Sequence, residues 1–222
     1  PDSIPLNRAV TMLDLEAGRY AEALKRAREL QKTHPKDTAG YVIAGDVHVA
    51  QKAWADAVAA YRTGLSLAEN STDLAQRLYV ALGAGGQAAE GARFADSWLK
   101  AHPKDFKFRG FLADIANSRK DYAAAASHYR TLLADQPKNP GLLNNLAWAL
   151  GQLHDPKAVS YAEEANKLAP NQHVGAWGGP ASTVPNAGPI SLCVRRATAP
   201  LPLATIPHTN DRYIGTIAID WQ

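Results

Sequence analysis

Apolar residues recur three and four places apart along most of this chain, and short polar joints interrupt them at regular intervals. "GRYAEALKRAREL" at 18–30, "KAWADAVAAYRTGL" at 52–65 and "KDYAAAASHYRTLL" at 120–133 each carry that spacing, which predicts amphipathic helices. The joints read "HPKD" at His34–Asp37 and again at His102–Asp105, with a near copy, "QPKN", at Gln136–Asn139. Pro35 and Pro103 are spaced by 68, and Pro103 and Pro137 by 34. Proline cannot continue a helix, so each marks a place where one has ended. Asp37, Asp105, Asn139 and Asp155 can each cap the helix that follows, and Pro140 and Pro156 suit a first helical position. Each joint is thus a stop followed by a cap.

The helices keep the same ruler. Ala23, Ala57, Gly91 and Ala125 are spaced by 34. Three places before them stand Tyr20, Trp54, Ala88 and Tyr122, and four places after stand Ala27, Tyr61, Ala95 and Tyr129. Large and small residues alternate by register, at the period of one helix–turn–helix unit. On these residues the chain resembles the tetratricopeptide repeat family. With repeats at about 4–37, 38–71, 72–105, 106–139 and 140–170, the second matches the family pattern at Tyr41, Ala44, Gly45, Ala57, Tyr61 and Gly64. The fourth matches at Leu112, Ala113, Ala125, Tyr129, Leu132 and Pro137. The fifth matches at Leu143, Leu146, Ala147 and Leu150, then runs one residue short, so that Ala158, Ala162, Ala165 and Pro170 fall one place early. Thr11, Tyr79 and Trp98 depart from it by standing where small residues are usual.

The resemblance implies an all-α fold over 1–170, a right-handed α-α superhelix of five helix pairs. Small residues at Ala23, Gly45, Ala57, Gly91, Ala113 and Ala125 would let helices approach, and Tyr61 and Tyr129 would fill the gaps between pairs. After Asn171 the grid stops. Residues 171–222 are rich in proline, glycine, alanine, serine and threonine and are expected to be an irregular tail. Only "RYIGTIAIDW", about 212–221, has the β-branched and aromatic make-up of a short strand. Without a cap from that tail, through Val174 and Trp177, the residues Tyr161, Ala162, Ala165 and Leu168 would face solvent. The abrupt change of composition is also what an altered reading frame would produce, and a sixth repeat in another frame of the gene would reveal it.

Composition narrows the function. The chain has 222 residues, 46% of them hydrophobic, and a formal charge of +3 with basic and acidic residues interspersed. No basic stripe stands out, so nucleic acid is not expected as a partner; RNA binding through the repeats would show a steep salt dependence. Cys193 is the only cysteine, which excludes an intrachain disulfide and a cysteine-rich zinc site. The chain starts at Pro1 with Met12 its only methionine, as a fragment or a mature form would, so any signal peptide precedes this numbering. The seven histidines form no H-x-x-x-H pair, and His34, His102, His128 and His154 fit structural places. "GAGGQAAEG" at Gly83–Gly91 lacks the Lys-Ser/Thr ending of a phosphate loop and falls on a repeat turn. "NST" at Asn70–Thr72 fits a glycosylation acceptor, and a helix cap at Ser71 or Thr72 is the plainer account. Cys193 has no histidine and acid framework around it. No enzyme, cofactor or metal site is expected.

The family's register places the first helix of each pair along a concave groove. Carried over, it implies a partner-binding surface at Arg8, Asp46, Gln76, Arg77, Lys107, Asp114, Asn117, Asn144, Asn145 and Trp148, suited to a protein or peptide segment. No repeat carries the lysine and asparagine pair of the family's two-carboxylate clamp. "QKTHPKD", "AVAAYRTGL", "FADSWLKAHPKD" and "LLNNLAWALGQLHDPKAVSYAEEANKLAPNQ" further resemble the repeat lipoproteins of bacterial exosortase (PEP-CTERM) and exopolysaccharide systems. That resemblance implies a scaffold in the periplasm or cell envelope, otherwise in the cytoplasm, touching a membrane only through a lipid anchor outside this sequence. The alternative is a regulatory or substrate-docking module of a larger enzyme.

Overall fold

The computed structural model of the protein describes residues 4–170, the side chains of Ile4, Pro5 and Arg8 excepted. The tail 171–222, with its expected strand at 212–221, the covering role of Val174 and Trp177, and Cys193, lies outside the described residues. Among the described residues there are ten α-helices and no strand: α1 Ile4–Glu16, α2 Tyr20–Thr33, α3 Ala39–Ala50, α4 Trp54–Leu67, α5 Thr72–Ala84, α6 Ala88–Ala101, α7 Phe106–Ser118, α8 Tyr122–Asp135, α9 Pro140–Gln152 and α10 Lys157–Leu168. The second helices of the first four pairs start at Tyr20, Trp54, Ala88 and Tyr122, on the period that the sequence sets. The chain forms two compact units, one ending at Phe108 and the other starting at Arg109.

The joints explain why the helices stop and start where they do. Within each pair the turn carries one left-handed residue, and these recur on the same period: Gly18, Lys52, Gly86, Lys120 and His154. The amide after it reaches back five residues, as from Ala53 to the His48 carbonyl (2.8 Å) and from Gln87 to Leu82 (2.8 Å). The left-handed residue's own amide reaches back three, as from Lys52 to Val49 (2.9 Å). This is a Schellman ending, and it satisfies carbonyls that a helix end would orphan. The "GAGGQAAEG" stretch holds one of these turns, which accounts for Gly86. Between pairs, His34, His102 and Gln136 close the second helices. Asp37 then accepts the Ala39 amide, Asp105 the Phe108 amide, and Asn139 the amides of Gly141 and Leu142. Asp155 accepts from Lys157 (2.9 Å). Ser71 caps α5 through the Leu74 amide. Pro140 opens α9, whereas Pro156 sits one place before α10 rather than in its first turn.

In the first unit, the second helix of one repeat packs on the first helix of the next. Ala23, Ala27 and Leu30 of α2 meet Ile43, Ala44 and Val47 of α3. Val42, Ala57, Val58 and Tyr61 then meet Leu74, Leu78, Ala81 and Leu82 of α5. Close approach is enforced at Gly45, where a Cβ would sit 2.2 Å from Cε1 of the Tyr61 ring. The two large departures, Tyr79 and Trp98, become an aromatic cluster instead of a clash. Phe108 lies edge-on to Tyr79 and Phe94, with centroids 6.4 and 6.3 Å apart, and 5.8 Å from Trp98. In the second unit, α9 packs against both α8 and α10. Ala125, Ala126, Tyr129, Leu132, Leu142, Leu146 and Leu150 are fully buried there. Ala162 and Ala165, expected at the solvent face of an uncapped last repeat, are also buried on a helix that packs against α9, while Leu168 is exposed.

Candidate functional site

Polar side chains that add nothing to apolar packing, yet are held firmly in place, gather on the first helices. In the first unit, α3 carries Asp46 at the ninth place of its repeat. It accepts the Tyr61 hydroxyl at 2.6 Å and a hydrogen bond from the Arg77 guanidinium. Arg77 sits on α5 and also donates through Nε to Asp73, one turn earlier, at 2.9 Å. Burial pushes the Asp46 carboxyl above its usual range, and Arg77 and then Tyr61 pull it back. The Tyr61 hydroxyl is pushed up by burial and by the Asp46 charge, so it stays a donor. Burial works against the Arg77 cation, but Asp46 and Asp73 outweigh it.

The second unit repeats the first half of this arrangement. Asp114 and Tyr129 stand two repeat periods after Asp46 and Tyr61, and the Tyr129 hydroxyl donates to Asp114 at 2.9 Å. Two periods after Arg77 the residue is Asn145. Burial raises the Asp114 carboxyl, Tyr129 draws it back, and among the described residues no cation bears on it. Asn145, on α9, is only 5% exposed. Its Nδ2, the one donor of the amide, is turned to the Tyr129 hydroxyl oxygen and favours its charged form, though short of ideal hydrogen-bonding geometry. One turn along α7 from Asp114, the buried Asn117 Oδ1 goes without a donor among the described residues.

The remaining expected site residues divide by exposure. Gln76 and Trp148 are half-buried, Lys107 is exposed, and Asn144 is buried at 1% exposure. The Arg8 side chain lies outside the described residues. The structure therefore brings Asp46 and Arg77 together in the first unit, and Asp114 and Asn145 onto one tyrosine in the second. Tyr61, Tyr129 and Asp73 were absent from the expected partner surface. The available signal was an Asp–Tyr spacing of 15 that returns two repeats later.

Among the described residues no group of three or more histidine, cysteine or acidic side chains is arranged to hold an ion. No helix among them is long and apolar enough to cross a membrane.

Paired helices with Schellman turns, recurring on a fixed period, define a helical-repeat protein. The tetratricopeptide repeat family profile matches residues 12–72 and 78–140, and the chain belongs to that family. Solved structures agree on the fold. A MamA protein superposes with a TM-score of 0.51 at 13% identity, covering 74% of this chain and 91% of its own. MamA RS-1 gives 0.50 at 16% identity, covering 76% and 95%. YrrB, described as a TPR protein with an unusual peptide-binding site, gives 0.48 at 14% identity, covering 78% and 90%. A search among curated protein sequences returned no match. Tetratricopeptide folds mediate protein–protein interaction and are typically non-catalytic.

Proposed function

We propose that the chain is a non-catalytic docking scaffold that holds a protein or peptide segment along the polar faces of its first helices. Its setting is bacterial cell-envelope machinery for exopolysaccharide export and surface-protein sorting. One observation carries the docking reading. Asp46 and Asp114 sit on first helices at partly buried positions, where burial makes their charge costly and each acid is fixed by a tyrosine hydroxyl of the next helix. Acids held in place at such positions are suited to meeting a polar or cationic group of a partner. The envelope setting rests on the repeat-rich phrases around both "HPKD" joints and through α9 and α10, with their likeness to exosortase-system lipoproteins.

Affinity capture from an envelope fraction tests both parts. The wild type is compared with Lys107→Glu and Trp148→Ala, which change an exposed and a half-buried residue. Loss of particular partners in either variant is the expected result, and partner lists that match the wild type would retire the docking reading. Partners drawn from polysaccharide export and protein sorting support the setting. One dominant catalytic partner would point to a module serving an enzyme.

A further inference from the structure

The two units treat one motif differently, and the difference has a chemical reading. Around Asp46 the acid, the tyrosine hydroxyl and a guanidinium close on one another within the chain. Around Asp114 the acid and the hydroxyl recur, but Asn145 takes the place of the arginine. Among the described residues the shorter amide leaves the Asp114 carboxylate without an ion pair. Beside it, the buried Asn117 Oδ1 lacks a donor among the described residues, while the Asn145 amide N–H is turned to the Tyr129 hydroxyl oxygen. Asp114 and Asn117 are three residues apart on α7, so they share a helix face. A planar cation with several N–H groups would satisfy the carboxylate and the Asn117 oxygen together.

We infer that the Asp114 carboxylate and the Asn117 Oδ1 form a seat for an arginine side chain of a partner polypeptide, with Tyr129 and Asn145 holding the acid in place. The seat is filled from outside where the first unit fills its own with Arg77. This inference rests on the docking reading and gives it a chemical specificity. Arginine is favoured over lysine because the occupant of the matching site is a guanidinium engaging two acceptors, Asp46 and Asp73. A point-like ammonium matches such a pair less well.

The test is an NMR titration of the full chain with three capped tripeptides, acetyl-Ala-Arg-Ala-amide and its citrulline and lysine counterparts. The arginine probe is expected to saturate, with shifts at the Asn117 and Asn145 side-chain amides. Citrulline is expected to bind about tenfold more weakly or worse, as is arginine to Asp114→Asn, because each change removes one partner of a charge pair. Asp114→Asn keeps an acceptor for the Tyr129 hydroxyl and is expected to fold. Arg77→Asn supplies the opposite arm, since it should open a second arginine site at Asp46. Equal binding of citrulline, binding unchanged in Asp114→Asn, or lysine matching arginine would each overturn the assignment. The two proposals fail separately. Partner capture that ignores Asp114→Asn, with a silent arginine probe, sinks the seat alone. Arginine binding by a chain that captures no polypeptide sinks the docking reading alone.

Discussion

Three glycines on helices or their turns look alike in composition and differ in physics. At Gly45 an added methyl would meet the buried Tyr61 ring at 2.2–2.7 Å. Gly45→Ala should therefore overpack the α3–α4 contact and cost roughly 1–3 kcal/mol. At Gly86 nothing lies within 4 Å, but φ is +76°; Gly86→Ala should cost about 1–2 kcal/mol through the backbone alone. Gly91 is buried in α6, where an added methyl would find Leu82 Cβ and the Tyr79 ring at 3.6–3.9 Å, which is ordinary contact. Gly91→Ala should stabilise by about 0.5–1 kcal/mol, because a helical glycine gives up backbone entropy that alanine does not. Urea unfolding of the three variants checks the order, and a stabilising Gly45→Ala would refute the packing account. The repeat grid predicts small residues at Gly45 and Gly91 equally. It does not say which is pressed by an aromatic ring, because that depends on where Tyr61 and Tyr79 point across to another helix.

At the scale of the helix and its joints, residues 4–170 were largely legible, the left-handed turn inside each pair and the place of Pro156 excepted. Proline stops, acidic or amide caps and regular spacing follow from local chemistry, and those features place the helix ends. What local chemistry leaves open is which groups reach a joint from elsewhere. The two "HPKD" copies are identical in sequence and unequal in contacts. Asp37 receives the Ala39 amide at 2.7 Å. Asp105 receives the Phe108 amide at 2.9 Å, the Trp98 indole N–H at 2.9 Å and the Thr72 hydroxyl at 2.8 Å. Asp37→Ala should cost about 1 kcal/mol, the usual loss of a cap. Asp105→Ala should cost about 2–4 kcal/mol, since it removes a cap and also leaves the buried indole N–H without an acceptor. Equal unfolding midpoints for the two variants would show that the side-chain bonds to Asp105 add nothing. The candidate site was legible in part for the same reason. Asp46, Arg77, Asp114 and Asn145 were placed by register, whereas the tyrosine hydroxyls that bind the carboxylates appear only once two helices are side by side.

Across the whole chain, buried acids act on stability with opposite signs, and this sets an expected pH profile. Arg26 and Arg19 hold the Asp14 carboxyl below its usual range. Its contribution is present above the unfolded value of about 3.9 and is lost as pH falls through the lower folded value. Burial holds Asp46 and Asp114 above that range. Their contribution is complete below about 3.9 and is lost as pH rises through the higher folded values, so at neutral pH the Asp114 carboxylate burdens the native state, while Arg77 and Tyr61 offset that cost at Asp46. Stability should then rise as pH falls from 7 toward about 4 and drop below it, when Asp14 loses its charge. Asp114→Asn should be at least as stable as the wild type at pH 7, with an advantage that fades on acidification. Asp14→Asn should be less stable at pH 7 and show a shallower acid limb. Thermal melts of the three proteins across this range decide the matter. A wild type that loses stability steadily from pH 7 downward, with Asp114→Asn tracking it in parallel, would show that the Asp114 carboxylate carries no desolvation cost.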